Sequence, residues 1–188
     1  MLTRNRRLLL LAGGFLLVAG LSWSVQRVRP SLAMGLRHHQ PGFYHVIKVD
    51  DGDTIEVDMG GQTESIRFIG VDTPETHHPT KPVQCYGPQA SEFTTKTVDD
   101  SWVRLVADVK SGNRDRYARL LRYVYLEDGR LLNLSLVKKG FGFAIRAFPH
   151  TKMESFIQAE ASAHVHNYGL WGGCEINSSR GYLSTQPQ

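Results

Sequence analysis

The sequence predicts an α+β fold: a small closed β-barrel of five strands with three packed helices, preceded by one N-terminal hydrophobic segment. Three observations predict it. Five short runs rich in β-branched and aromatic residues succeed one another, and the first three are joined by tight Asp/Gly turns. Three later stretches space their apolar residues as helices do rather than alternating them. A block of arginines followed by an apolar run sets the first 29 of the 188 residues apart from the rest.

Arg4, Arg6 and Arg7 precede the apolar run Leu8 to Val25, which only Gly13, Gly14, Gly20, Ser22 and Ser24 interrupt. At 18 residues the run is longer than a usual signal-peptide core and at the lower edge of what spans a bilayer. Residues 1–29 are therefore read as a signal or anchor segment, with the leading arginines inside the cell. This places the rest of the chain outside the cytoplasm, either anchored in the membrane through the uncleaved segment or secreted. Residues 30–42, with Pro30, Gly35, Pro41 and Gly42, read as a tether. The folded domain is expected over 43–176, and the polar tail 177–188 is expected to fray.

The formal charge of +4 belongs to the leader. Residues 31–188 hold 17 basic and 18 acidic side chains, a net of −1. Attraction to a polyanion must then come from a local cluster such as Arg114, Arg116, Arg119 and Arg122, or from a bound cation.

Within the domain, Tyr44 to Val49 is a β-rich run that ends in the turn Asp50-Asp51-Gly52. Thr54 to Asp58 alternates with period two, and Gly60-Gly61 turns it into Glu64 to Ile69. Alternation puts Ile66 and Phe68 on one face and Arg67 on the other, so Arg67 faces a cleft while its neighbours hold the core. From Gly87-Pro88, apolar positions Ala90, Phe93 and Val98 follow helical spacing. Trp102 to Val106 and Leu120 to Tyr125 return to strand, and Leu131 to Lys139 and Met153 to Asn167 read as two more helices. A five-stranded meander with these helices suits a barrel of the oligonucleotide-binding type.

Chemistry-bearing residues gather at strand ends. Asp53 and Asp72 offer carboxylates from separate turns to a hard divalent cation, and the carbonyl of Thr73 is placed to add a third oxygen. Asp and Gly also fill such turns for backbone reasons alone. No His or Cys pair stands at structural-zinc spacing, and His77-His78 reads as a surface loop. Glu75, two residues past Thr73, is positioned to activate water without being a ligand. Arg67 and Arg119 have the planar forks that bind phosphate oxygens. Cation, base and two arginines together point to phosphodiester hydrolysis. The only two cysteines, Cys85 and Cys174, leave two readings open: a bridge in an oxidising compartment, or two independent buried thiols.

Asp51-Gly52-Asp53-Thr54, the stretch Arg67 to Glu75, Tyr86 to Ser91, Asp115-Arg116-Tyr117-Ala118-Arg119 and Gly169-Leu170-Trp171 together closely resemble the staphylococcal nuclease (thermonuclease) family, over about Tyr44 to Trp171. The resemblance implies a calcium-dependent nuclease acting on DNA and RNA, single-stranded or denatured by preference, that leaves 3′-phosphate ends. It assigns Ca2+ to Asp53, Asp72 and the Thr73 carbonyl, the base or water-positioning role to Glu75, and phosphate binding to Arg67 and Arg119. Arg116 and Tyr117 fall where the family contacts a terminal phosphate. Two positions depart from the pattern: Ala118 replaces a usual glycine, and Arg146 and Phe148 stand about where the family carries tyrosines beside the substrate base. Phe148 retains the ability to stack on a base, and Arg146 to stack or to pair with phosphate. No obligate protein partner is called for. The competing readings are a catalytically weak nucleic-acid-binding module at the cell envelope and an envelope protein whose acidic turns are only turns.

Overall fold

The computed structural model describes residues 42–76, 82–179 and 181–187. The signal or anchor segment, residues 30–41 of the tether and His77-His78 lie outside them. Among the described residues no helix is long and apolar enough to cross a membrane.

Five strands close into a barrel: β1 (Phe43–Asp51), β2 (Thr54–Asp58), β3 (Thr63–Phe68), β5 (Trp102–Val106) and β6 (Leu120–Tyr125). Their order around the barrel is β1-β2-β3-β6-β5, returning to β1, with every pairing antiparallel except β3 with β6. This is the oligonucleotide-binding type of barrel. Closure removes the exposed edges that an open five-stranded sheet would carry. The interior holds Ile55, Val57, Ile66, Phe68, Val103 and Val124, each essentially inaccessible. Burying each stabilises the fold by about 1.5–3 kcal/mol.

Three helices cover the barrel: α1 (Gly87–Val98) packs on β1, α2 (Leu132–Lys138) on β6, and α3 (Met153–Val165) against α2. Pro88 suits the first turn of α1, where its missing N–H leaves no bond unmade. Asn133 on α2 is wholly buried and serves the parallel strands. Its Oδ1 accepts from the Val124 amide (2.8 Å), and its Nδ2 donates to the carbonyls of Ile69 (2.9 Å) and Arg122 (3.1 Å). A helix side chain thus completes hydrogen bonds at the seam where β3 leaves β6.

Three small elements escape sequence patterning. β4 (Val71–Asp72) pairs with β7 (Phe143–Ala144) in a two-residue ladder, and a short helix α4 (Leu170–Gly173) follows α3. The expectation of a frayed tail is corrected: β8 (Ile176–Ser179) and β9 (Tyr182–Thr185) form an antiparallel hairpin. Its side chains are too polar to announce strands, and what orders it is external. Cys85 and Cys174 are joined in a disulfide, with Cα atoms 5.9 Å apart. The Cys85 amide donates to the Gln186 carbonyl (2.8 Å), and Thr185 Oγ1 donates to the Cys85 carbonyl (2.8 Å).

Candidate active site

The turn from β1 to β2 presents Asp51 and Asp53 at the barrel rim. Gly52 between them is buried, and its carbonyl accepts a bond from Thr94 Oγ1 of α1 (2.6 Å), so the helix pins the turn. A methyl group at Gly52 would fall 2.8–2.9 Å from three side-chain atoms of Thr73. Glycine at this position is what lets the chain after β4 approach.

That approach gathers the acidic residues. Asp53, its side chain 5% exposed, accepts the Thr73 amide on Oδ2 (2.8 Å) and meets Arg67 Nη1 on the same oxygen (3.0 Å). Arg67 Nη2 reaches Asp72 Oδ1 (2.6 Å), and its Nη1 also donates to the Val71 carbonyl (2.7 Å). On the other oxygen, Asp53 Oδ1 accepts from Thr54 Oγ1 (3.0 Å), and that hydroxyl in turn accepts from Arg119 Nη1 (3.4 Å). The two arginines therefore converge on one carboxylate from its two sides. Parallel pairing of β3 with β6 is what brings this about, since Thr54 lies opposite Arg67 and Arg67 opposite Leu121, just after Arg119.

Asp115, the first residue of the turn before β6, sets the direction of Arg119. Its Oδ2 accepts Nε and Nη2 at 2.7 Å each, and its Oδ1 accepts the amides of Tyr117 (2.9 Å) and Arg119 (3.0 Å). Burial works against ionisation there, but the Arg119 guanidinium and the two amides hold the Asp115 carboxyl below its ordinary range. Arg116 and Arg119 both lie over the exposed Tyr117 ring, 4.8 and 5.4 Å from its centre. Arg116 Nη2 also donates to the Tyr117 hydroxyl (2.7 Å). Arg116, Tyr117 and Arg119 are thus one surface cluster. Ala118 adopts φ +66°, the left-handed backbone a glycine would take without strain.

Asp51 adds a third carboxylate, its Oδ1 accepting the Asp53 amide (3.1 Å). Burial, and then the charge of Asp53 beside it, push the Asp51 carboxyl up to about 7, against the pull of Arg67. Burial also opposes the charge of Arg67, but Asp53, Asp72 and Asp51 outweigh it and raise its pKa. Three carboxylates around one guanidinium are a donor set of hard oxygens with negative charge in excess, which fits a divalent cation such as calcium. Among the described residues no three His, Cys, Asp or Glu side chains close a metal cage by themselves. The Thr73 carbonyl, water and substrate oxygens are what remain to complete one.

Glu75 follows on the same loop as Thr73, its amide donating to Gln84 Oε1 (2.7 Å). Phe148 is exposed, as a stacking residue needs to be. Arg146 lies near Phe148 in the chain and has a partner of its own. It extends from the end of the β4–β7 ladder remote from Thr73, and its guanidinium pairs with the buried Glu160 of α3, which also accepts the Ala144 amide (2.8 Å). Sequence reasoning missed Asp115 and Thr54, whose partners are visible only in three dimensions, and gave no role to Asp51, although it stands in the quoted motif.

Residues 65–173 match the family model described as "Staphylococcal nuclease homologue". The chain is 41% identical over 143 residues to a thermonuclease of Staphylococcus hyicus, covering 76% of this chain and 83% of that protein. It is 43% identical over 129 residues to a thermonuclease of Staphylococcus intermedius, covering 68% and 75%. Endonuclease YncB of Bacillus subtilis (strain 168) is 36% identical over 134 residues, 70% of this chain and 63% of its own length. Barrel topology, rim cluster and these likenesses agree, and the chain belongs to the staphylococcal nuclease family.

Proposed function

We propose that this nuclease hydrolyses phosphodiester bonds of DNA and RNA, single-stranded or denatured by preference, with a calcium ion held by Asp53, Asp72 and the carbonyl of Thr73. The observation that carries the reading is the convergence of Arg67 and Arg119 on the two oxygens of Asp53, one directly and one through Thr54. Calcium, when bound, supplies positive charge beside the scissile phosphate and lowers the pKa of nearby water. Arg67 and Arg119 neutralise the equatorial phosphate oxygens as charge builds on them, with Asp115 fixing the Arg119 fork so that little reorganisation accompanies the reaction. Glu75 takes the proton of the attacking water. The new bond joins that oxygen to phosphorus, and the bond to the 5′-oxygen breaks. The products are a 3′-phosphate end and a 5′-hydroxyl, which takes its proton from solvent. Arg116 and Tyr117, exposed beside Arg119, are suited to a terminal phosphate and Phe148 to a base.

The same reading places the enzyme outside the cytoplasm, anchored or released. Its support is the arginine-led apolar segment together with a disulfide, a bond that persists in oxidising compartments. Recovery of the native protein in the cytosolic fraction would overturn the location.

The deciding experiment is release of small nucleotides from denatured DNA by the full chain, in calcium, in magnesium and in a calcium chelator. Calcium-dependent release with 3′-phosphate ends is expected. A folded protein that binds the DNA and releases nothing would instead be a binding module on the same barrel.

A further inference from the structure

We infer that Gln84 is a positioning residue for Glu75, held in place by the C-terminal hairpin through Cys85. The inference rests on the role proposed for Glu75. The contact itself is reciprocal: Gln84 Oε1 accepts the Glu75 amide (2.7 Å), and the Gln84 amide donates to the Glu75 carbonyl (2.9 Å). Both backbone groups of the residue carrying the base are therefore gripped by one neighbour across the loop. Helix α1 closes in three residues later, since a Cβ at Gly87 would lie 3.0 Å from the carbonyls of both Pro74 and Glu75.

The other side of Gln84 and Cys85 faces the hairpin. Gln84 pairs with Pro187 in a β-bridge, the Cys85 amide and carbonyl bond Gln186 and Thr185, and the Cys85 sulfur is bonded to Cys174. The bridge is made by the Cys85 amide bond, so three distinct ties converge on this segment: that bond, the Thr185 hydroxyl and the disulfide. The family match ends at residue 173, so Cys174 and the hairpin follow the shared barrel. The hairpin adds little to the core, for Asn177, Ser178, Ser179 and Tyr182 are exposed. What it does contact is the segment that holds Glu75. Arg67 and Arg119, which bind phosphate, stand on the barrel and are independent of that segment.

The consequence is a split between turnover and binding. A misplacement of the order of 1 Å at a reacting group lowers rate by about 100-fold, and loosening one tie of several should give part of that. Gln84→Met, which keeps length and removes the acceptor, should lower kcat about tenfold and leave KM for denatured DNA within about twofold. The Cys85→Ser/Cys174→Ser double variant should shift kcat in the same direction. Hydrogen exchange on the full chain gives a readout apart from activity: the Glu75 amide should lose at least about tenfold protection in Gln84→Met, with the amides of Ile66 and Val124 unchanged. Wild-type kcat and an unaltered Glu75 amide in Gln84→Met would overturn the inference, as would a kcat loss that merely tracks a fall in Tm. If the wild-type protein itself cleaves nothing, the proposed function is what has failed, and the positioning role falls with it.

Discussion

Gly52 offers a stringent test of how the rim is assembled. An added Cβ would sit 2.8 Å from Thr73 Oγ1 and 2.9 Å from its Cβ and Cγ2. Unbonded carbons settle at about 3.5 Å or more, so in Gly52→Ala the Thr73 segment must retreat by about 0.7 Å. That retreat takes the Thr73 amide, now 2.8 Å from Asp53 Oδ2, to the edge of hydrogen bonding. Overpacking of this kind costs about 2 kcal/mol, or about 6 °C in Tm for a domain of this size. Displacement of the proposed calcium ligand should lower kcat by about 100-fold. Thermal melts and nucleotide release measure the two, and calorimetric titration should show weaker calcium binding. Gly52→Ala/Thr73→Ala removes two of the three close atoms and should regain part of each loss, a coupling the double-mutant cycle reads directly. Wild-type kcat and Tm in Gly52→Ala, or strict additivity in the cycle, would refute the close approach as the organiser of the site.

Arg119→Ala should lower kcat by about 1,000-fold, and circular dichroism should show an intact fold, because the amides of Tyr117 and Arg119 still bond Asp115. Arg119→Lys should recover little of that activity, since an ammonium cannot reproduce the fork. Ala118→Gly relieves a left-handed residue worth about 1–2 kcal/mol and adds up to about 1 kcal/mol of unfolded-chain freedom, so the urea midpoint should rise slightly; a clear fall would be the contrary result. Burial lowers the pKa of His150, whose Nε2 is buried without a partner, despite the nearby charge of Asp108. Burial works to raise Asp108, but the hydroxyl and amide of Thr151, the Lys110 amide and the Tyr123 hydroxyl overcome it and depress its pKa. Both values lie below those of the unfolded chain, so the unfolded state binds more protons and stability falls with pH, first below about 6.5 and again below about 4. Chemical denaturation between pH 8 and 3 should show this two-step loss, and His150→Gln should remove the upper step.

The barrel was legible because its strands alternate and its turns carry Asp and Gly, so Ile66, Phe68 and Arg67 declared their faces before any coordinates. Catalytic candidates were legible for the same local reason, as Asp53, Asp72 and Glu75 punctuate strand ends. The hairpin was not, because Asn177, Ser178 and Ser179 have no apolar side to show, and its order is imposed from residues about 90 positions earlier through the disulfide. The Arg146–Glu160 pair was not legible either, because Glu160 sits on another element, and position along the chain says nothing of which carboxylate a long side chain will find. Thr54 and Asp115 were passed over because each acts through an arginine rather than alone.

The lone parallel pairing among the described residues, β3 beside β6, joins residues more than fifty positions apart, Ile66 with Leu120. Contacts of that span form late, since loop-closure entropy must be overcome before they reward the chain. Arg67 and Arg119 meet around Asp53 only when that seam closes, so no fragment that lacks either strand can assemble the rim cluster. The rim cluster is therefore a product of the finished topology, assembled by the same closure that completes the barrel.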